Sequence, residues 1–127
     1  MTGAYRKDVL NYAETELNTK PEFLFRRSPQ TAVLRHKGTG KWFAVIMPVS
    51  REKLGISRGG ITDVINVKCD PLMLGSFLMQ PGFLPAYHMA KGSWISILLD
   101  DTVPDKTLLD LLDESHAFTL SKRSSNK

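Results

Sequence analysis

Cys69 is the one cysteine in 127 residues, and it stands directly before Asp70-Pro71. An Asp-Pro pair is a strong helix start: the carboxylate accepts hydrogen bonds from the free amides of the first turn, and proline already holds the required φ. A thiol at such a place is a nucleophile candidate, because the positive end of a helix favours thiolate. The adjacent Asp70 carboxylate opposes that ionisation, and no sequence pattern places a base against the sulfur. A small buried cysteine is the stronger expectation. His36, His88 and His116 are widely separated and show no metal-ligand spacing with Cys69 or the acids. Asp100-Asp101 reads as an acidic turn, and Asp110, Asp113 and Glu114 as a solvated helix face, not as acid and base partners. The residues therefore call for no catalyst, metal or cofactor, and a non-enzyme is expected.

Binding chemistry has better support. Gly38-Thr39-Gly40-Lys41 invites a phosphate-loop reading, but Arg35 stands where the first glycine belongs and Trp42 follows the lysine in place of Ser or Thr. It fits a hairpin turn. From Arg26 to Lys41 the chain carries Arg26, Arg27, Arg35, Lys37 and Lys41 without a single acid. A basic hairpin of this kind can hold a phosphate backbone by releasing its counterions. Arg51, Lys53 and Arg58 extend the set. A second candidate is the turn Tyr87 to Trp94, where Tyr, His and Trp offer stacking faces and Lys91 a phosphate contact. Trp42 itself reads as core.

The elements that must position these residues follow from periodicity. Tyr5, Val9, Tyr12, Ala13 and Leu17 gather on one side of a helix that Pro21 ends. Residues 31–35 and 41–47 are β-prone and form a hairpin, the second strand sorting Trp42, Ala44 and Ile46 to one face and Phe43, Val45 and Met47 to the other. Apolar residues on both faces mark a central strand, and Pro48 is expected to end its pairing. Another strand lies within Ile61 to Lys68. A short helix follows Asp70-Pro71, burying Leu72, Leu74, Phe77 and Leu78, before Pro81-Gly82 stops it. Trp94 to Leu99 is a strand, and the last helix runs from about Pro104 to Ala117 around Leu108, Leu111, Leu112 and Ser115.

The net charge of +4 is unevenly spread: residues 1–60 hold 11 Lys or Arg against 5 Asp or Glu, and residues 61–120 hold 3 against 8. Such asymmetry suits an anionic partner on one face. The length fits one domain, expected over residues 1–120, with a basic disordered tail over 121–127. One cysteine, no signal peptide and no apolar run long enough to cross a bilayer favour a soluble cytoplasmic protein away from membranes. The sequence leaves the oligomeric state open, with a monomer favoured.

Lys41 to Ile46, Asn66-Val67-Lys68-Cys69-Asp70-Pro71, Pro85-Ala86-Tyr87-His88-Met89, Trp94 to Asp100 and Leu112-Asp113-Glu114-Ser115-His116 occur in an order that resembles the MmcQ/YjbR family. The resemblance covers nearly the whole chain before the tail. It implies a CyaY-like α+β fold with helices packed against an antiparallel sheet, and DNA as the partner through a double-wing arrangement of sheet and hairpins. The matching motif positions are Asn66, Lys68, Cys69, Asp70, Pro71, Tyr87, His88, Met89, Lys91 and Trp94. The turn departs from the family pattern, with Ala90 for Asn, Gly92 at a variable basic position and Ser93 for His. A fold analogy to frataxin would bring iron, but Asp8, Glu14 and Glu16 alternate with Arg6, Lys7 and Lys20 and form no acidic ridge. The expected function is thus non-catalytic DNA binding, with Arg26, Arg27, Arg35, Lys37, Lys41, Arg51, Lys53 and Lys91 on phosphate. The alternative is a small-molecule or protein-binding pocket near Cys69, Tyr87, His88 and Trp94.

Overall fold

The computed structural model describes residues 5–56 and 59–120. Arg58 and the tail from Ser121 lie outside them. The elements in chain order are α1 (Arg6–Glu16), β1 (Ala32–Arg35), β2 (Trp42–Ser50), a 3-10 turn (Arg51–Leu54), β3 (Ile61–Lys68), α2 (Leu74–Leu78), β4 (Phe83–Pro85), β5 (Trp94–Leu98) and α3 (Asp105–Leu120). The strands form one five-stranded sheet in the order β1-β2-β3-β5-β4, every pair antiparallel. This is the expected single-domain α+β architecture. Among the described residues no helix is long and apolar enough to cross a membrane.

One face of the sheet carries the helices. Val9 and Ala13 of α1 and Leu108, Leu111 and Leu112 of α3 bury themselves against Leu34, Ala44, Ile46, Ile65, Val67, Ile95 and Ile97. Burying each Val, Leu or Ile among them contributes on the order of 1.5–3 kcal/mol, and with the alanines they form the main core. Two polar fasteners lie within this layer. Ser115 of α3 donates to the Phe43 carbonyl at 2.6 Å and accepts from the Lys68 amide at 2.8 Å, so one hydroxyl ties α3 to both central strands. Tyr12 of α1 donates to the Asp113 carboxylate of α3 at 2.8 Å. Asp113 thus faces a partner helix, not water alone.

Among the described residues no α-helix lies across the other face. A smaller cluster of Val49, Val64 and Leu98 is covered at one end by Leu54 of the 3-10 turn and Ile56 after it. The rest depends on loops.

Four local expectations change. The β1–β2 pairing shifts register between Leu34 and Arg35, so that Leu34 faces Ala44 and Arg35 faces Trp42. That bulge exchanges the faces of Trp42 and Phe43: Phe43 enters the helix-side core with Ala44 and Ile46, while Trp42 joins Val45 and Met47 on the open face. Pro48 does not end β2, which runs on to Ser50 with Pro48 opposite Asp63. β1 has already stopped opposite Ile46, so β2 has one neighbour there and tolerates a residue without an N–H. Asp70-Pro71 starts a turn, not the helix directly: Asp70 accepts the Leu72 amide at 2.9 Å, and the regular α2 begins only at Leu74. Leu74 and Phe77 pack on the core, but Leu72 is 90% exposed and Leu78 is exposed as well. The short strand β4 was not foreseen.

Candidate functional site

Two loops cross the open face and leave a groove between them. Residues 24–28, leading into β1, form one wall, and Tyr87, His88 and Met89, between β4 and β5, form the other. Trp42, Val45, Met47 and Pro48 of β2 are the floor. The volume is about 630 Å³, in the range of sites that take small ligands or single residues of a polymer. Among the described residues, Arg26 and Arg27 are the charged members of the lining, and no Asp or Glu joins them. The groove is thus apolar and aromatic below and cationic at one rim. Phe25 meets Trp42 edge to face, ring centroids 6.0 Å apart.

The Tyr87 wall is held by a closed triangle of hydrogen bonds. Asn66 Nδ2 donates to the Tyr87 carbonyl at 3.0 Å, the Tyr87 amide donates to Ser96 Oγ at 2.9 Å, and the Ser96 hydroxyl donates to Asn66 Oδ1. Asn66 and Ser96 face each other across β3 and β5 and are fully buried. Two buried polar groups on adjacent strands therefore satisfy each other and, together, both backbone groups of one loop residue. The next residue, His88, sits at φ 60°, the left-handed region that costs a non-glycine residue roughly 1–2 kcal/mol. Its ring lies 4.1 Å from that of Tyr87 and is exposed at the groove. The altered residues of the turn act through their backbones. The Ala90 carbonyl accepts from the Trp94 amide at 3.0 Å, and the Ser93 carbonyl accepts from the Cys69 amide at 2.9 Å. Loss of side-chain polarity there leaves the turn intact.

The basic residues divide. Lys37 and Lys41 belong to the β1–β2 hairpin, whose His36 and Lys41 ends are joined by a 2.9 Å backbone bond. Lys91 lies at the same end of the sheet, because β5 begins opposite Lys68 and β3 ends beside the start of β2. Arg51 and Lys53 follow the other end of the nine-residue β2, about 30 Å away. Two of the set already have carboxylate partners. Arg35 pairs with Glu22 through two bonds of 2.8 Å, and Arg51 meets Asp100 at 3.3 Å. The Glu22 carboxyl is held below its usual range by the Arg35 hydrogen bond. Arg26, Arg27, Lys37, Lys53 and Lys91 are exposed.

The pocket drawn from the sequence around Cys69, Tyr87, His88 and Trp94 is split by the sheet. Tyr87 and His88 line the groove, whereas Cys69 is buried in the helix-side core and Trp94 is not part of the lining. Burial pushes the Cys69 thiol up, with Asp70 and Glu114 adding to it, which is the reverse of nucleophile activation. Two of the three histidines do meet. His36 and His116 have ring centroids 4.5 Å apart, each also packed on Phe43. Thr119 Oγ1 donates to the Ser115 carbonyl at 2.7 Å, so the 2.8 Å contact from His36 Nε2 is an imidazole N–H donating to Thr119. Desolvation lowers both imidazole pKa values, the charge of His116 adding to the effect on His36. Among the described residues no group of three His, Cys, Asp or Glu side chains converges as metal ligands would.

Ser96 and Phe25 were missed in the sequence. A serine inside the otherwise apolar run from Trp94 to Leu99 was the signal for the first, and exposed aromatics beside Arg26-Arg27 for the second.

Known proteins share this arrangement of elements. A crystal structure of a protein from Pseudomonas syringae is 37% identical and superposes with a TM-score of 0.87, over 90% of this chain and 97% of that one. A solution NMR structure of a protein from the same organism gives 0.81 at 37% identity, over 90% and 91%. The Deinococcus radiodurans protein DR2400, at 21% identity, shares the fold with a TM-score of 0.71 over 98% of this chain and 83% of that one. The uncharacterized protein YyaQ of Bacillus subtilis is 35% identical over 114 residues, 90% of this chain and 97% of its own. The family model described as YjbR matches residues 16–118, which contain both loops, the Asn66–Ser96 pair and the groove floor, and the chain belongs to the YjbR family.

Proposed function

We propose that this protein is a non-catalytic nucleic-acid-binding module whose phosphate contacts come from Arg26 and Arg27 at the groove and from Lys37, Lys41 and Lys91 at the hairpin end of the sheet. The observation that carries the reading is the acid-free lining of the open-face groove, with two exposed arginines over an apolar and aromatic floor. Arg26 and Arg27 meet no carboxylate among the described residues of the lining and keep their charge available to phosphate, whereas Arg35 and Arg51 share theirs with Glu22 and Asp100. DNA, as the family resemblance suggests, is the first partner to try.

Fluorescence anisotropy with a labelled oligonucleotide, titrated from about 20 to 300 mM salt, tests this. Affinity falls steeply with salt, and the R26A/R27A variant flattens the log–log slope by about 1.4–1.8 if both arginines touch phosphate. R51A, whose guanidinium lies against Asp100, changes the slope least. Binding no tighter than that of a neutral control protein at the lowest salt overturns the reading.

A further inference from the structure

We infer that the open-face groove takes an unstacked base, so that the protein prefers single-stranded nucleic acid to duplex. The inference rests on the nucleic-acid reading and adds what the groove itself selects. A duplex offers phosphates on its outside and keeps its bases stacked, so it reaches Arg26 and Arg27 but has nothing to place on Trp42. The floor and walls are built for a flat, apolar, π-faced group. Trp42, Phe25, Tyr87 and His88 converge on one space with Val45 and Met47 beneath. Aromatic side chains on an open sheet face, with cations at the rim, are the physical means by which sheets hold single strands without strong sequence preference. Charge complementarity fixes the ligand's sign, since the lining holds arginines and no acid. The left-handed His88 adds a second, independent mark. Its strain is maintained by the Asn66–Ser96–Tyr87 triangle immediately before it, which keeps an exposed imidazole at the groove mouth.

Trp42 is a built-in reporter. The chain has two tryptophans, Trp42 in the groove and Trp94 buried outside it, so W94F leaves Trp42 as the sole emitter. A ten-nucleotide thymidine strand, the same strand annealed to its complement, and free thymidine monophosphate are titrated at one salt concentration. The single strand is expected to bind W94F about 10-fold or more tighter than the duplex and to quench Trp42 at saturation. Removing a stacking partner with W42L weakens the single strand about 5- to 100-fold while leaving duplex affinity and its salt slope unchanged. H88A, at an exposed side chain, gives a smaller loss of the same sign and serves if W42L does not fold. Equal affinity for both forms, with salt-dependent binding intact and Trp42 emission unmoved, overturns the base-binding inference and leaves the phosphate reading standing. Absence of binding to any nucleic acid overturns both. Full displacement of the strand by equimolar free nucleotide overturns the strand preference and makes the groove a nucleotide site.

Discussion

Replacing Asn66 with alanine removes the side chain that joins β3, β5 and the Tyr87 loop. Two hydrogen bonds go, the 3.0 Å donation to the Tyr87 carbonyl and the acceptance from Ser96. Each contributes about 1 kcal/mol net, and the part-buried Tyr87 carbonyl left without a donor adds about 1 kcal/mol, giving roughly 3 kcal/mol in total. Ser96 keeps the Tyr87 amide as a donor at 2.9 Å, so the loop is loosened at one end and not released. A domain of this size holds about 5–15 kcal/mol, so the variant stays folded. Urea unfolding followed by circular dichroism, with a slope near 1.5 kcal/mol per molar, should show a midpoint about 2 M lower. The coupling is the sharper test. In the N66A/S96A double variant the loss should fall short of the summed single losses by about 1 kcal/mol, because each single change orphans a group that the other also removes. Faster exchange of the Tyr87 amide hydrogen should accompany N66A. A midpoint within about 0.3 M of the parent, or strictly additive losses, would refute the triangle as the loop's anchor.

Three further outcomes follow from the same geometry. Both His36 and His116 have lowered pKa values through burial, so their contribution to stability is present above the ordinary value of 6.5 and is lost as pH falls below it through the folded pKa values. Urea midpoints at pH 8 and pH 5 should therefore differ, and H36Q/H116Q should shrink that difference. Tyr12, pushed up to about 12 by its hydrogen bond to Asp113 and by burial, should titrate later than the ordinary 10.0, and D113N should bring it back. The stability this linkage supplies is complete below pH 10 and is lost as pH rises through 12, and Y12F should cost about 1–2 kcal/mol near neutrality, read from the urea midpoint. Gly82 lies at φ 90°, and a Cβ there would come within 2.5 Å of Val103 Cγ2. G82A should therefore lose about 2 kcal/mol or more by thermal unfolding, and a neutral result would mean that the turn before β4 is built differently.

Much of the fold was legible because the main signals were periodic. The helices announced themselves through Val9, Ala13, Leu108, Leu111 and Leu112, and the hairpin through two β-prone runs around His36 to Gly40. What periodicity could not carry was the bulge at Arg35 and Trp42, where a single extra residue exchanged the faces of Trp42 and Phe43. That local irregularity decides the site, since it moves the indole from the expected core to the groove floor. The same limit applied to charge. Arg35 and Arg51 read as free cations in a linear chain, yet Glu22 lies 13 residues from one and Asp100 lies 49 from the other. Such pairs exist only once the strands are in register. The His36–His116 contact had no local signal at all, because it needs α3 to dock across the start of β2.

The open face is better understood as a built surface than as the unfinished side of a one-layer sheet. A strand with one face in water alternates apolar residues inward with polar residues outward, and β2 does not: Trp42, Val45 and Met47 all lie on the side away from α1 and α3. Val45 is covered, but Trp42 and Met47 stay partly exposed, and the 51–56 segment, Leu84 and Tyr87 pack over the Val49, Val64 and Leu98 part of that face. A third loop or a longer β4–β5 connection would close the gap. Instead the Tyr87 loop, whose tyrosine packs on the Val49, Val64 and Leu98 cluster, is pinned beside the gap by two buried polar side chains and carries a strained residue, His88, whose side chain stays exposed. Costs of that kind are retained where position matters more than stability. The arginines at the other wall, with no acid among the described residues of the lining to neutralise them, fit the ligand proposed above: an anion whose flat apolar part would cover Trp42.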